Sequence, residues 1–360
     1  MNITRSVKMF KNTRDRQAIP AAGRENDPPG TSKTTPERIL QRLDWQVIRR
    51  LDGLLQGDYR SLFYGYGVDF ADLREYQPED DIRYIDWNVT ARMDTPYVRQ
   101  YIEDREVTAW FLVDLSPSMD FGTTQVEKRG VLIDLVGTLA RLLTRHGNRV
   151  GTVLFTGQTG SGSTKSSSEK EYPAVRIIPA RGGRNHVLQI INDLLKQPRL
   201  KKAAFTDLQI LLESSLNTIR KRSLMFILSD FMSVPGWERA LSLLKQRHEV
   251  VAVHLWDPHE NSLPDVGPVW IEDAETGEQI YVDTHDPNFR AQFEEVIRNR
   301  ETALTAIFRH AGVEEWSIST GEDLVRAIVR FASVRKQIHR QRGGAAGNPR
   351  PALAYRALEP

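Results

Sequence analysis

The sequence predicts an α/β fold, with a doubly wound, mostly parallel sheet and helices on both faces. Three observations predict it. First, apolar runs at 107–113 and 223–229 are nearly continuous, and an aspartate ends each of them, Asp114 and Asp230. Runs without polar alternation suit strands buried on both faces. Second, segments with helical spacing of apolar residues alternate with these runs, the pattern of βα units. Third, 360 residues with 40% hydrophobic and 27% charged residues can build a sizeable core.

Taken in order, residues 37–55 have helical spacing, with Ile39, Leu40, Leu43, Val47, Leu51 and Leu54 along one side. The stretch 57–106 is rich in Tyr, Asp and Arg and has short extended runs at 82–88 and 97–102, an irregular β-containing module. Strand 107–113 follows. Thr124 and Glu127 have capping-box spacing before a helix whose face includes Leu132, Leu135, Val136, Leu139 and Leu143, and Gly147-Asn148 closes that helix. A strand is expected at 149–156, a Gly/Ser-rich loop at 157–171, an edge strand at 174–179 and a helix at 184–197. Thr206 to Gln209 reads as a second capping box, before a helix at 207–221. Strand 223–229, helix 237–247, strand 249–256, a hairpin around 275–278, helix 287–310, strand 313–318 and helix 322–336 complete the body. The expected organisation is a basic disordered tail at 1–35, a helix-plus-strands module at 36–105, an α/β domain at 106–336 and a second disordered basic tail at 337–360.

Charge is unevenly placed. Residues 1–24 and 335–360 each carry net +5, so a chain of net +2 has a body of net −8. An acidic body argues against a nucleic-acid-binding core. The basic tails leave peripheral contact with an anionic membrane open, but no run approaches the roughly 20 apolar residues of a membrane-spanning helix. With no apolar leader and no cysteine, a cytoplasmic setting is expected. Absence of cysteine also excludes disulfides, thiolate metal sites and cysteine nucleophiles.

In a doubly wound sheet, ligands bind beyond the carboxyl ends of the strands where strand order reverses. At such an end lies Asp114-Leu115-Ser116-Pro117-Ser118, with D-x-S-x-S spacing. Alternate residues in a loop can point the same way, so one carboxylate and two hydroxyls converge. Thr206 before a helix and Asp230 at the second buried run add a hydroxyl and a carboxylate. Oxygen donors alone suit a hard cation, magnesium first, with manganese or calcium as alternatives, rather than zinc or copper. Each residue also has a structural reading, since Ser, Thr and Asp after a strand commonly cap a helix. Their joint placement is what singles them out.

The D-x-S-x-S loop resembles the metal-ion-dependent adhesion site of von Willebrand factor type A domains. The resemblance covers about residues 106–336 and implies that Asp114, Ser116, Ser118, Thr206 and Asp230 hold one divalent cation. Phe205 and Phe231 stand where that family commonly has glycine. Further motifs are Gly67 to Tyr76, Asp80-Asp81, Asp86-Trp87, Ala91-Arg92, Lys221-Arg222, Ser229-Asp230-Phe231, Asp257-Pro258-His259-Glu260 and Glu275 to Glu278. Together they resemble the prokaryotic domain of unknown function fifty-eight family. That resemblance implies a partnership with MoxR-type AAA+ ATPases or their clients, in chaperone-like maturation of protein complexes.

The expected function is therefore a non-enzymatic, cation-dependent protein-binding module. A metal-dependent hydrolase using the same oxygen site, and a scaffold whose metal site stays empty, are the alternatives. Neither a Walker phosphate loop nor a G-x-S-x-G elbow occurs. His254, Asp257, His259 and Glu260 have the chemistry of metal ligands but no recognised spacing, and His254 reads as a core residue.

Overall fold

The computed structural model describes residues 7–11, 35–54, 73–77, 82, 85, 87–93, 95–99, 107–122, 126–157, 174–200, 206–273 and 278–343. Strand β1 (Val7–Lys11) precedes helix α1 (Pro36–Leu43), a π-helical turn (Asp44–Ile48) and helix α2 (Arg49–Leu54). Strand β2 (Leu73–Glu75), helix α3 (Trp87–Met93) and strand β3 (Tyr97–Arg99) come next. The α/β body begins with β4 (Thr108–Asp114), a 3-10 turn (Pro117–Asp120), α4 (Lys128–Arg145), β5 (Arg149–Phe155), β6 (Val175–Arg181) and α5 (Arg184–Lys196). It continues through α6 (Leu208–Thr218), β7 (Leu224–Ser229), α7 (Glu238–Arg247), β8 (Glu249–Trp256) and α8 (Pro258–Asn261). The hairpin β9 (Pro268–Asp273) and β10 (Gln279–Asp283), then α9 (Pro287–Ala311), β11 (Glu314–Ser319) and α10 (Leu324–Gly343), complete it.

Six strands form the central sheet in the order β11-β8-β7-β4-β5-β6. All neighbours are parallel except β6, which runs antiparallel to β5 at one edge. The chain leaves β4 toward β5 and β6, then returns to the other side of β4 as β7. Strand order therefore reverses between β4 and β7, the place in such sheets where a ligand is expected.

Successive side chains of a strand face opposite ways, so each buried strand feeds two cores. Ala109, Phe111, Val113, Phe226, Leu228, Val251 and Val253 pack under α1, α4, α5 and α10. Trp110, Leu112, Met225, Ile227, Val250 and Ala252 pack under α6, α7 and α9. Burial on both faces is why these runs lack polar alternation.

The N-terminal helical segment belongs to the first core. Thr35 caps α1, its hydroxyl accepting from the Arg38 N–H at 3.4 Å, and Pro36 sits at the first helical position. Ile39, Leu40, Leu43, Ile48 and Leu51 are buried against the α4 and α5 face. Gly137 in α4 makes this approach possible, because a Cβ there would lie 2.8 Å from a methyl of Leu43.

The structure corrects several expectations. Residues 7–11, expected within a tail, form β1 and pair antiparallel with β9, from Val7 opposite Asp273 to Lys11 opposite Val269. Residues 87–93, placed by the sequence at the end of an extended run and just beyond it, are helical; Ala91, Arg92 and Met93 are good helix formers. The hydroxyl of Thr206 does not open α6 as its cap; Asp207 is the N-cap, and its carboxylate accepts from the Gln209 N–H at 3.0 Å. Helix α4 begins at Lys128 with Glu127 at its N-cap, and no side chain caps it there. The last helix continues past 336 to Gly343, into the expected second tail. Much of the signature stretch, Thr124 and Phe205 lie outside the described residues.

Leu43→Ala should cost about 2–5 kcal/mol of unfolding free energy, because a cavity opens between α1 and α4. Leu54→Ala, at a position 60% exposed, should cost under ~0.5 kcal/mol. Urea unfolding of the two variants checks this, and equal costs would show that α1 does not share the core.

Candidate metal centre

Asp114 is the last residue of β4, and Asp230 follows the last residue of the neighbouring strand β7. Both carboxylates, Ser116, Ser118 and Thr206 are all at most 1% exposed. One Asp114 oxygen accepts from the Ser116 N–H at 2.9 Å, and the other accepts from the Ser229 hydroxyl at 2.7 Å. The Ser116 and Ser118 hydroxyl oxygens are 3.1 Å apart, so the D-x-S-x-S spacing does turn both hydroxyls to one side. The Leu115 N–H donates to the Phe155 carbonyl at 2.7 Å, which fixes the loop to the end of β5.

Thr206 enters from the start of α6. Its carbonyl accepts from the Val234 N–H at 3.0 Å, and the Leu208 N–H donates to the Ser233 hydroxyl at 2.9 Å. The loop after Asp230 is thus stitched to the segment that carries Thr206. Asp114, Ser116, Ser118 and Asp230 stand together at the carboxyl ends of β4 and β7, and Thr206 is joined to them through the loop after Asp230.

The structure adds a group that sequence reasoning missed. Lys128, the first residue of α4, is fully buried, and its ammonium donates to Asp230 at 2.7 Å and to Glu260 at 2.7 Å. The other oxygen of Asp230 accepts from the Met232 N–H at 3.0 Å, and the Arg300 guanidinium donates to the Asp230 carbonyl at 3.0 Å. Glu260 also closes a capping box on α8, its second oxygen accepting from the Asp257 N–H at 3.0 Å. Asp257 in turn accepts from the Thr320 hydroxyl at 2.7 Å. The D-P-H-E run is therefore a capped turn tied to Lys128. Its D-x-x-E spacing with Pro at the first helical position is the signal that reveals the cap. Nothing in the sequence marks Lys128, because a lysine beginning a helix reads as a solvated side chain.

Electrostatics separate the two aspartates. Burial and the nearby charge of Asp230 push Asp114 up to about 7, and its hydrogen bonds with Ser229 and Ser116 oppose them. Burial would raise Asp230 too, but the Lys128 ammonium overrides it and holds Asp230 below its ordinary value. Burial lowers Lys128, while Asp230 and Glu260 more than restore it, so it stays charged. His254 is pushed down to about 3 by burial, with the Arg300 charge adding to it, and packs edge-on to Phe231 with ring centroids 6.1 Å apart.

Phe231 adopts φ 54°, the left-handed region that glycine enters without strain and that other residues enter at a cost of about 1–2 kcal/mol. Its ring is held between Trp237 and Phe308, with centroids at 5.6 and 4.9 Å. Aromatic burial offsets the strain of the turn that follows Asp230.

The donor set fits a hard cation. Among the described residues no cluster of three or more His, Cys, Asp or Glu gathers into a metal site. The donors are instead two carboxylates and three hydroxyls, and the carboxylate pair leaves Asp114 with a repulsion that a cation would relieve. Asp114, Ser116, Ser118 and Thr206 would supply direct oxygens, and Asp230 would supply charge from beside Lys128.

Comparison with known proteins places the chain in a family. The family described as "Protein of unknown function DUF58" matches residues 72–303. The chain is a DUF58 protein. An uncharacterized protein of Mycobacterium tuberculosis (H37Rv) is 34% identical over 309 residues, covering 86% of this chain and 91% of that one. A Mycobacterium avium protein is 31% identical over 170 residues, covering 47% of this chain and 97% of that one. Among solved structures, the conserved hypothetical protein BatB from Bacteroides thetaiotaomicron aligns with a TM-score of 0.38 and 12% identity, over 64% of this chain and 99% of its own. An aerotolerance-related membrane protein from Bacteroides fragilis aligns with a TM-score of 0.39 and 12% identity, over 66% of this chain and all of its own. No helix among the described residues of this DUF58 chain is long and apolar enough to cross a membrane.

A pH dependence follows for the metal-free protein. An Asp114 carboxyl raised to about 7 keeps its proton in the folded chain after the unfolded chain, with an ordinary aspartate, has released it. Stability should therefore fall as pH rises between about 4 and 7, and the full penalty should be present above that window. In excess chelator, the melting temperature of the wild type should drop from pH 5 to pH 8 more steeply than that of Asp114→Asn. Parallel curves would contradict the raised carboxyl.

Proposed function

We propose that this DUF58 chain is a non-enzymatic protein-binding module that works through one divalent cation, magnesium above all. Asp114, Ser116, Ser118 and Thr206 would hold the ion directly, and Asp230 would stand behind them. The observation that carries the reading is a buried, oxygen-only cluster at the strand-order reversal, whose carboxylate pair is short of positive charge. A site with so few charged ligands leaves the ion able to accept one more oxygen from outside, and a partner's Asp or Glu carboxylate is that oxygen. The partner proposed is a MoxR-type AAA+ ATPase or its client, in chaperone-like maturation of protein complexes. This part rests on the family resemblance.

Binding is favoured over hydrolysis by the groups around the cluster. Lys128 is held as an ammonium by two carboxylates and cannot accept a proton at neutral pH. His254, pushed down to about 3, has too little basicity to activate water.

Calorimetry of chelator-stripped protein with magnesium and with manganese tests the reading. Wild type should bind one ion, and Asp114→Ala should bind none while its circular dichroism is unchanged. Capture of the ATPase should then occur in magnesium and be lost both in excess chelator and with Asp114→Ala. Equal capture under all these conditions would sink the proposal.

A further inference from the structure

Lys128 has no part in an oxygen-donor cation site, yet its ammonium is built into this one. Its ammonium is fully buried and 2.7 Å from Asp230, one of the two carboxylates that would neutralise an ion. It stands at the N-terminus of an 18-residue helix, the end whose dipole disfavours a cation. It also lies 5.8 Å from the centroid of the Phe121 ring, close by the D-x-S-x-S turn. A buried lysine in such a place is costly unless it is paired, and the chain supplies two carboxylates to pair it. Glu260 is the second, brought from the end of β8 by the capping box of α8.

We propose that Lys128 is a resident counter-cation that competes with the divalent ion for Asp230, and that Glu260 sets the strength of that competition by drawing the ammonium away. Asp114, Asp230 and Glu260 with Lys128 carry a net charge of −2 when all are ionised, and the Arg300 guanidinium on the Asp230 carbonyl reduces it to −1, so the cluster still favours an added cation. Lys128 occupies one Asp230 oxygen and the Met232 N–H the other, so Asp230 acts on the ion across a gap rather than as a tight ligand. The ion is then bound weakly by the chain alone and depends on the oxygen that a partner brings. Lys128 is in this sense a positioning residue, acting on the ion through Asp230.

The inference rests on the cation-binding reading above. The two are separated by four variants measured by manganese calorimetry beside wild type. Asp114→Ala tests the underlying reading, which fails if this variant binds as wild type does. Glu260→Gln keeps the capping box, since glutamine accepts the same Asp257 N–H, but leaves Lys128 wholly on Asp230. It should weaken manganese binding on the order of tenfold. Lys128→Met removes the competitor and should tighten binding on the order of tenfold or more. Lys128→Met strips two buried carboxylates of their counter-charge and risks unfolding the chain, so Lys128→Met combined with Glu260→Gln provides the safer test. That double variant has the same net cluster charge as wild type, but its Asp230 is released, and it should still bind manganese more tightly than wild type. A purely structural Lys128 would make every one of these changes weaken binding. The competition is overturned if the folded double variant binds no more tightly than wild type, or if Glu260→Gln tightens binding. If wild type binds no ion, the competition predicts that the double variant gains binding. Absence of binding in both sinks the competition and the cation reading together.

Discussion

The ion pair between Lys128 and Asp230 is the constraint around which the carboxyl end of the sheet is arranged. Neither charge touches solvent, and each costs several kcal/mol to take out of water. The pair is tolerable only because every neighbour contributes. Met232 and Arg300 donate to the Asp230 residue, and Glu260 shares the ammonium. Glu260 is in turn fixed by the Asp257 backbone, and Asp257 by Thr320. One side chain thus connects the start of α4 with the ends of β7, β8 and β11.

Much of this architecture was legible in the sequence, and the reason is the double burial of the central strands. A run such as 107–113 is polar only at Thr108, its partly buried start, so the aspartate that ends it is conspicuous and marks where the strand leaves the core. Asp114 and Asp230 were found that way, and the D-x-S-x-S spacing carried Ser116 and Ser118 with them. Lys128 was illegible because burial of a charge depends on partners 102 and 132 residues away, which no local pattern encodes. Strand β1 was illegible for a related reason. Five residues pair with an edge more than 250 positions later, and the register is set by the hairpin, not by the segment. The sequence makes Thr206 the cap of the helix that follows, whereas Asp207 satisfies the first turn of α6 one residue further on.

Phe231 shows how local rules yield near such a site. A phenylalanine in the left-handed region breaks the preference for glycine there. The turn it makes lets the Phe231 N–H reach the Ser229 hydroxyl at 2.8 Å, while that same hydroxyl donates to Asp114 at 2.7 Å. The strained residue therefore helps orient the group that holds the first carboxylate. Its ring pays part of that cost by packing with Trp237 and Phe308 in the second core.

The two carboxylates have been given different environments, and the difference sets what each of them still lacks. Asp230 is satisfied within the chain by an ammonium. Asp114 has only neutral donors, Ser116 and Ser229, and is left with a charge that burial and Asp230 both oppose. If the chain had paired both aspartates with lysines, the cluster would be a closed structural network with nothing for an ion to gain. If it had paired neither, the repulsion of two buried carboxylates would have weakened the junction of β4 and β7, where the strand order reverses. Pairing one and leaving the other short keeps the sheet intact and concentrates the unmet charge at the D-x-S-x-S loop. That loop lies at the carboxyl end of β4, beside the point where strand order reverses.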